Sequence, residues 1–509
     1  MRDPEEKILT IKAMAAVVES LHRDGKRVCL CHGEFDLVHP GHIMHLRAAR
    51  QKGDALVVTI TPDRFVVKGP GRPVFNEALR ARTLAALECV DFVAINDRET
   101  AVETIRSIKP RIYVKGSEYR SIDADITGRI AAEKEAVESV GGELQFTDEE
   151  TFSASTLANR HYGIYPPDTA KFLKEFRARY DPEEIIRSLE SLEDLRVLVV
   201  GEAIIDEYHY VSTMGKSSKE PILTTRFEWG ESFAGGALAT ANHVAGFCPN
   251  VDLITCLGAR ASQEEFVRSR LKPTVKPKFF FRQDAETIVK RRFVEKDFLN
   301  KIFEICLLND SPLDPALTRE ICGYLEAMLD TYDLVVVADF GHGMIGARMV
   351  GTLCDRARFL AVNTQRNSAN LGFNLITKYP RADYVCIDEP EIRLAAHDRV
   401  GSLEELVLAV SKSLSCQLVT ITLGRRGAIT YRDREGYHDI PVLSTEVVDT
   451  VGAGDAVLAI TAPCAARGFA ADLVGFIGNS AGALAVKIVG NRSSVEPVTL
   501  YKFMRSMLK

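Results

Sequence analysis

The sequence lacks the features that would place it in a membrane, secreted or nucleic-acid-binding class. No run approaches the ~20 apolar residues of a membrane span, and the acidic start MRDPEE is unlike a signal peptide, so we expect no membrane partner. Lysine and arginine (64) do not exceed aspartate and glutamate (70), which argues against nucleic acid as a partner. The 11 cysteines are scattered without zinc-site spacing, so we expect reduced thiols and a cytoplasmic protein.

What is present is a chain of 509 residues, long enough to favour more than one domain. Apolar runs such as RVCLC (27–31) alternate with helical patterns until about residue 160, and a second series of this kind opens with RVLVVGEAIID at residue 196. Such alternation predicts α/β domains with parallel sheets. The charged segment between the two series predicts helices without strands. We therefore predict one domain at 1–161, a helical linker at 162–194 and a second domain at 195–509.

The first motif with chemical content is GEFDLVHPGH at residues 33–42. It places His39 and His42 three residues apart, between a predicted buried strand and a predicted helix, so both imidazoles can face one site. The helix N-terminus adds backbone N–H donors for phosphate oxygens, and Gly33 would let the backbone approach a nucleotide. A His-x-x-His pair alone fits a pair of surface histidines, or half of a metal site, about as well as it fits a catalytic pair.

The whole string resembles the G-x-F-D-x-x-H-x-G-H signature of the nucleotidyltransferase superfamily, and the likeness continues in order through KGPGRPV, ALECVDFV, KPRIYVKGSEY and FSAST. Residues 7 to about 160 resemble the transferase half of the ADP-heptose synthase family. The resemblance implies a Rossmann-like HxGH domain in which His39 and His42 are catalytic. It also implies nucleotide-binding roles for Gly33, Phe35, Gly41, Lys115, Ser155 and Thr156. Glu34 and the Ser117-Glu118 pair depart from the usual pattern, which bears on the choice of sugar and base.

The second motif is VDTVGAGD at residues 448–455, which precedes an apolar helical run. A Gly-Ala-Gly turn opening onto a helix presents backbone N–H groups as an anion hole for a transferring phosphoryl group. Asp455 at its mouth suits the role of general base toward an attacking hydroxyl. A lone GAGD also fits a plain packing turn.

The string resembles the DTxGAGD signature of ribokinase-like (pfkB) carbohydrate kinases, as do FAGGALATAN, ADFGHGMI, DEPE and TLGRRGA in order. The resemblance implies a ribokinase-like α/β domain with a small β lid, formed from segments near 216–228 and 286–305, that pairs subunits into a homodimer or a higher homo-oligomer. It implies that Asp455 is catalytic and that the sugar site contains Asp206, Gly235, Gly236, Lys290 and Asp339. It places ATP at Gly424, Gly427, Gly452, Ala453, Gly454 and Asn479, and magnesium at Glu391. Departures from the family lie on the sugar side, at Ala239, His342, Asn363 and Gln365.

Together the motifs predict a bifunctional enzyme of nucleotide-sugar biosynthesis. The kinase half would transfer the γ-phosphate of ATP to a sugar or sugar phosphate, and the transferase half would couple a sugar 1-phosphate to a nucleoside triphosphate with release of pyrophosphate. The two halves stand in the reverse order to those of ADP-heptose synthase. The expected cofactors are Mg2+ and ATP, with CTP possible in the transferase half. The alternatives are a cytidylyltransferase fused to a kinase of another sugar or polyol, and a transferase with a regulatory, non-catalytic kinase-like domain.

Overall fold

The computed structural model describes residues 3–66, 72–116, 129–147, 165–368, 370–444 and 446–509. The chain divides into two compact units, one of Met1–Leu173 with Tyr501–Lys509 and the other of Lys174–Leu500. Two helices, α6 (Pro167–Arg177) and α7 (Pro182–Glu190), lie in the segment expected to be a helical linker. The domain limits at 161 and 195 stay a prediction.

The first unit is built on a six-stranded parallel sheet. Its strands are β1 (Ile8–Leu9), β2 (Val28–Gly33), β3 (Ala55–Ile60), β4 (Phe92–Ile95), β5 (Ile112–Lys115) and β6 (Glu143–Phe146). Its other helices are α1 (Ile11–Arg23), α2 (Pro40–Gln51), α3 (Glu77–Ala85), α4 (Val102–Ile108) and α5 (Arg129–Ser139). The strand order is β1-β4-β3-β2-β5-β6. Every residue of β3 is buried, as expected for a parallel strand that is covered on both faces.

The order of these strands fixes where a ligand site can form. Strand β2 pairs with β3 on one side and with β5 on the other. The chain adds β3 and β4 on one side of β2 and then crosses to the other side of β2 to add β5 and β6. In open α/β sheets, the crevice at the carboxyl ends of the strands beside such a switch point is where ligands bind. The motif at 33–42 follows β2 directly and therefore lies at this crevice.

The second unit contains a nine-stranded sheet, a four-stranded sheet and helices on both sides. Its strands are β7 (Arg196–Gly201), β8 (Ala203–Lys216), β9 (Leu223–Gly236), β10 (Asn250–Arg260), β11 (Val275–Glu286), β12 (Ile288–Glu295), β13 (Lys301–Leu307), β14 (Leu334–Asp339), β15 (Leu360–Thr364), β16 (Tyr384–Asp388), β17 (Leu418–Thr422), β18 (Ala428–Arg432) and β19 (Gly436–Ile440). Its helices after α7 are α8 (Ala237–Phe247), α9 (Glu264–Arg270), α10 (Pro315–Met328), α11 (Ala347–Arg356), α12 (Glu389–Ala395), α13 (Leu403–Ser413), α14 (Ala453–Ala466) and α15 (Ala471–Ala485); the last helix of the chain is α16 (Pro497–Met507).

The large sheet runs β11-β10-β7-β14-β15-β16-β17-β18-β19, parallel up to β17 and antiparallel at the last two pairings. The small sheet runs β13-β12-β8-β9 and is called the lid below. Helices α14 and α15 are buried along nearly their whole length, as their apolar sequences require. The predicted α/β class is confirmed, with a parallel sheet in the first unit and a mainly parallel sheet and a small β lid in the second.

The expectations of reduced cysteines and of no membrane span can also be compared with the structure. All 11 cysteines are free thiols and most of them are buried. In the ranges that the structure covers, no helix is both long enough and apolar enough to cross a membrane.

Candidate active sites

The two motif histidines meet at the start of helix α2. His39 is the N-cap residue, and its Nδ1 accepts a hydrogen bond from the backbone N–H of His42 at 3.4 Å. The two imidazoles stack with their ring centroids 3.8 Å apart and their planes 23° from parallel. Nδ1 of His42 lies 3.1 Å from the carbonyl oxygen of Leu37. Because a carbonyl only accepts, that nitrogen carries a proton, which fixes the tautomer of the neutral ring.

Residues at the end of β2 shape the floor of this site. Phe35 adopts a positive φ of 46° and sets its ring edge-on against His42, with centroids 5.3 Å apart. A Cβ on Gly33 would lie 3.0 Å from the Phe35 ring, so a side chain there would push against the ring. Gly41 is buried in the first turn of α2. The residues predicted around the histidines are thus together in the fold.

A buried ion pair beside the histidines was not among the predicted site residues. Arg72 donates to Asp36 at 2.8 Å, and both side chains are only 1% exposed. Asp36 also accepts from the backbone N–H groups of Val74 at 2.6 Å and Phe75 at 3.3 Å. The pair ties the segment around 72–75 to the motif, and the motif's own aspartate was the signal that could have revealed it.

Of the three residues predicted to hold the triphosphate, the structure describes Lys115. Lys115 ends β5, the neighbour of β2, and its ammonium pairs with Glu133 at 2.9 Å. Ser155 and Thr156 lie outside the described residues. The roles of these three residues in nucleotide binding stay predictions.

In the second unit, the Gly-Ala-Gly turn that is predicted to form an anion hole lies at the start of helix α14. Gly452 is the N-cap with φ +82°, a conformation that favours glycine, and Ala453 and Gly454 begin the helix. The side chain of Asn491 packs against this turn, since a Cβ on Gly452 would lie 2.1 Å from its Oδ1. Asn491 was not among the residues predicted from the sequence.

Asp455 lies in the first turn of this helix and is 6% exposed. Burial raises the pKa of its carboxyl to about 7, and the nearby Asp206 carboxylate acts in the same direction. Gln365 and Lys290 oppose the rise. Nε2 of Gln365 donates to Oδ1 of Asp455 at 2.5 Å. A carboxyl tuned to about neutral pH is suited to accept a proton during reaction.

The lid brings charged groups to the same place. Asp206 on β8 and Lys290 on β12 are register partners, so they share one face of the lid, which is called its inner face below. Asp206 forms an ion pair with Arg292 and accepts a hydrogen bond from Asn491 at 3.3 Å. A Cβ on Gly235 would lie 2.0 Å from Oδ2 of Asp206, which accounts for glycine at this position. Gly236, at φ +59°, is the N-cap of α8.

Arg292 could have been found from the sequence. It stands two residues after Lys290 in a predicted strand, and residues at that spacing lie on one face.

Asp339, at the end of β14, is fully buried and is engaged by its own surroundings. Its carboxylate accepts from the Tyr379 hydroxyl at 2.6 Å and pairs with Lys378 at 2.5 Å. Glu202 lies close by, and burial followed by the charge of Asp339 raises the pKa of Glu202 to about 7. The predicted sugar-binding role of Asp339 stays a prediction. Its carboxylate also accepts from the backbone N–H of Gly341 at 3.1 Å, so Asp339 helps to hold the loop that follows β14.

Three of the six predicted ATP residues, Gly424, Gly427 and Asn479, form a separate group around β18 and β19. A Cβ on Gly427 would lie 2.0 Å from the carbonyl oxygen of Ile440, and Nδ2 of Asn479 donates to the carbonyl oxygen of Pro441 at 2.6 Å. Gly424 has a φ of +58° and, like Gly427, lies in the turn between β17 and β18.

Glu391, the predicted magnesium contact, lies in the first turn of α12. Its carboxylate accepts from the backbone N–H groups of Asp388 at 2.8 Å and Arg366 at 3.0 Å. Burial and the neighbouring Asp388 raise the pKa of Glu391 to about 7. Its role toward a metal stays a prediction.

Comparison with known proteins gives a family to each unit. Residues 30–160 match the cytidylyltransferase-like family, and residues 194–497 match the pfkB family carbohydrate kinases. The bifunctional protein HldE of Gluconobacter oxydans is 43% identical over 146 residues, which are 28% of this chain and 28% of that protein. HldE of Geotalea uraniireducens is 42% identical over 145 residues, again 28% of each chain. Both matches fall on the N-terminal part, and this chain therefore spans under a third of these relatives.

Among solved structures, phosphofructokinase-2 of Escherichia coli in complex with substrates and products superimposes with a TM-score of 0.50. It is 14% identical, and the match covers 60% of this chain and 98% of that one. The same enzyme in complex with potassium gives a TM-score of 0.50 over 61% of this chain and 99% of that one, at 14% identity. At such identity the likeness establishes the fold of the second unit alone.

Proposed function

Because the chain belongs to the pfkB family of carbohydrate kinases, we propose that its second unit transfers the γ-phosphate of ATP to a hydroxyl group of a sugar or sugar phosphate. We propose further that its first unit joins a sugar 1-phosphate to a nucleoside triphosphate. The observation that carries the kinase proposal is Asp455, a buried carboxyl with its pKa raised to about 7 at the N-terminal turn of a helix capped by glycine.

In the kinase reaction Asp455 accepts the proton of the sugar hydroxyl while that oxygen forms a bond to the γ-phosphorus. The bond from the γ-phosphorus to the bridging oxygen of ADP breaks, and ADP leaves with that electron pair. The N–H groups at the start of α14 stabilise the charge on the transferring phosphoryl oxygens. The inner face of the lid, with Asp206 and Lys290, holds the sugar against this turn.

In the transferase reaction a phosphate oxygen of the sugar 1-phosphate attacks the α-phosphorus of the nucleotide, and pyrophosphate leaves. His39 and His42, stacked at the N-terminus of α2, stabilise the charge that develops on the α-phosphate oxygens. No covalent intermediate with the protein is needed, since positioning and charge stabilisation suffice for such a displacement.

The carboxylates of Asp388 and Glu391 fit a magnesium ion, because this ion prefers oxygen donors and keeps several of its waters. Within the described ranges no group of three or more His, Cys, Asp or Glu residues forms a ligand cage. We propose that Glu391, with Asp388 beside it, would hold the ion next to the nucleotide. When bound, magnesium neutralises charge on the phosphate oxygens.

We propose that the outer face of the lid joins two copies of the chain. A row of rings crosses all four strands on this face, with centroid separations of 5.4 Å, 5.3 Å and 4.5 Å along Phe227, His209, Phe293 and Phe303. Phe227 is 57% exposed and Phe303 is 50% exposed. An aromatic strip of this kind on a single sheet is typical of an association surface. A homodimer would cover it.

A second candidate is favoured by the family match of the first unit. That family is described as cytidylyltransferase-like, so CTP is the alternative nucleotide and a polyol phosphate the alternative partner. A regulatory kinase-like unit without turnover is disfavoured by the complete Gly452–Asp455 turn and its tuned carboxyl. Nucleoside triphosphates as substrates are consistent with the cytoplasmic location that we propose.

The test is to incubate the whole protein with ATP or CTP and a panel of sugars, polyols and their phosphates, and to identify products by mass spectrometry. Asp455→Asn should abolish phosphorylation and spare nucleotidyl transfer, while His42→Asn should do the reverse. The exposed Asp355→Asn and His397→Asn serve as matched controls that should leave both reactions intact. If the wild type yields neither a phosphorylated acceptor nor a nucleotide-linked product with any member of the panel, both assignments fail.

A further inference from the structure

His342 lies in the turn between β14 and α11, and its side chain is unusual for a buried residue. It is 1% exposed, and neither Nδ1 nor Nε2 has a hydrogen-bond partner within the described part of the chain. Buried polar side chains in native proteins are nearly always hydrogen-bonded, and the exceptions commonly mark a bound ligand or a functional site. The mechanism above does not use this ring.

The turn that carries His342 is held firmly in place. The backbone N–H groups of Phe340 and His342 both donate to the buried carboxylate of Glu202, at 3.0 Å and 3.1 Å. The glycines on either side have positive φ angles, +67° at Gly341 and +86° at Gly343. A Cβ on Gly343 would lie 2.1 Å from a backbone oxygen of Ser311. The unpaired ring nitrogens therefore belong to a fixed structure and not to a loosely placed side chain.

The turn that carries His342 meets the inner face of the lid, since the ammonium group of Lys290 lies 5.9 Å from the centre of the Phe340 ring, two residues before His342. Burial lowers the pKa of His342 to about 4, and Lys290 acts in the same direction. The charges of Asp310 and Glu304 act in the opposite direction and raise the pKa of His342 slightly. Lys290 also acts on the carboxyl of Asp455, so one lysine of the lid's inner face lies within electrostatic reach of both residues.

The chemistry of the ring limits what it can recognise. At neutral pH the imidazole is uncharged, so it offers one N–H donor and one acceptor nitrogen. A hydroxyl group matches this pair because it also donates and accepts. A phosphate monoanion or dianion mainly accepts, and an ammonium group only donates.

We propose that His342 is a specificity-determining residue of the sugar site, which binds one hydroxyl group of the phosphoryl acceptor through its neutral imidazole. This inference rests on the proposed kinase function. It identifies the acceptor as a polyhydroxy compound with an uncharged substituent at this position, whatever groups it carries elsewhere.

The test pairs variants of His342 with monodeoxy analogues of the best acceptor in the panel. His342→Leu removes donor and acceptor, His342→Lys leaves only donors, and His342→Gln keeps one of each. For the intact acceptor, kcat/KM should fall roughly tenfold to a hundredfold in His342→Leu, mainly through KM, while KM for ATP changes little. His342→Gln should recover part of the loss, and the exposed His397→Asn, which suits the positive φ of 53° at that position, should behave as wild type.

The deoxy series separates recognition from a structural effect. The wild type should discriminate against the analogue that lacks one particular hydroxyl, and His342→Leu should lose that discrimination and no other. An equal loss for every analogue, or an unchanged KM for the acceptor, would refute the proposal while leaving the kinase function intact. A wild type that phosphorylates no acceptor refutes the kinase function and this inference with it.

A second measurement serves if His342→Leu does not fold. In wild-type protein labelled with 15N-histidine, the ring nitrogens of His342 should shift on addition of the acceptor, with the resonances assigned by their loss in His342→Gln. Ring signals that do not respond to a saturating acceptor would overturn the proposal.

Discussion

Phosphoryl transfer should increase with pH through about 7, because the proposed base is a buried carboxyl whose pKa is raised to about that value. Only the ionised form of Asp455 can accept the hydroxyl proton. At pH 6 about one eleventh of such a group is ionised and at pH 8 about ten elevenths, so kcat should rise roughly tenfold over this interval. An ordinary aspartate would be fully ionised over the same range and would give no rise.

Substitution of Gln365 tests the role of Asp455 more directly than the pH profile of the wild type does. Its amide donates to the carboxylate of Asp455 at 2.5 Å and so favours the charged form. Gln365→Leu removes that bond and must raise the pKa further. A hydrogen bond to a charged group contributes about 1.5–3 kcal/mol, and one pH unit corresponds to about 1.4 kcal/mol. We therefore expect the midpoint to move to higher pH by roughly one to two units, with activity lost at pH 7 and largely recovered at pH 9.

The assay is release of ADP at saturating ATP and acceptor between pH 5.5 and pH 9.5. Comparison of Gln365→Leu with wild type cancels any titration of the nucleotide, which is common to both. Gln417→Leu, at an exposed position of the same unit, is the matched control and should follow wild type. A profile of Gln365→Leu that overlays wild type, or that moves to lower pH, would refute the assignment of Asp455 as a base tuned by Gln365.

Two further predictions concern the first unit and the lid. Arg72→Met leaves Asp36 buried without its cation, so the free energy of unfolding of the first unit should fall by about 3 kcal/mol and nucleotidyl transfer should be lost, with kinase turnover preserved; Arg106→Met, which breaks an exposed pair, should cost under about 0.5 kcal/mol in the same denaturation experiment. Phe303→Glu should convert a dimer to a monomer by light scattering, while Phe298→Glu, at an 80% exposed turn position, should not. A monomeric wild type would contradict the lid interface.

The class of the fold and the position of both motifs at helix starts were predictable because their signals are local in sequence. Buried parallel strands appear as continuous apolar runs, as in β3 and β14. The N-cap roles of His39 and Gly452 follow from their place between a strand or loop and a helical pattern. At a helix start, residues a few positions apart share one site, so a short motif is enough to describe it.

Contacts between distant segments were not predictable in the same way. Asn491 lies beside both Asp206 and Gly452, and no spacing rule relates these three residues. The lid shows a second reason. Strand alternation predicts that Phe227 and Trp229 share a face, but a bulge in the pairing of β8 with β9 reverses it, so that Phe227 meets His209 while Trp229 stacks on Tyr210.

The same lid strands connect the basicity of Asp455 with the binding of sugar. Asp206 raises the pKa of Asp455 and Lys290 lowers it, and these two residues are register partners on β8 and β12. If the sugar binds at the inner face, as we propose, its hydrogen bonds to one or both of these side chains change the electric field at Asp455. Ionisation of the base and occupancy of the acceptor site are therefore thermodynamically linked, and by reciprocity the affinity for sugar must depend on the protonation of Asp455. Under this proposal, acceptor selectivity and pH dependence come from one group of side chains, and variants of Lys290 should change both together.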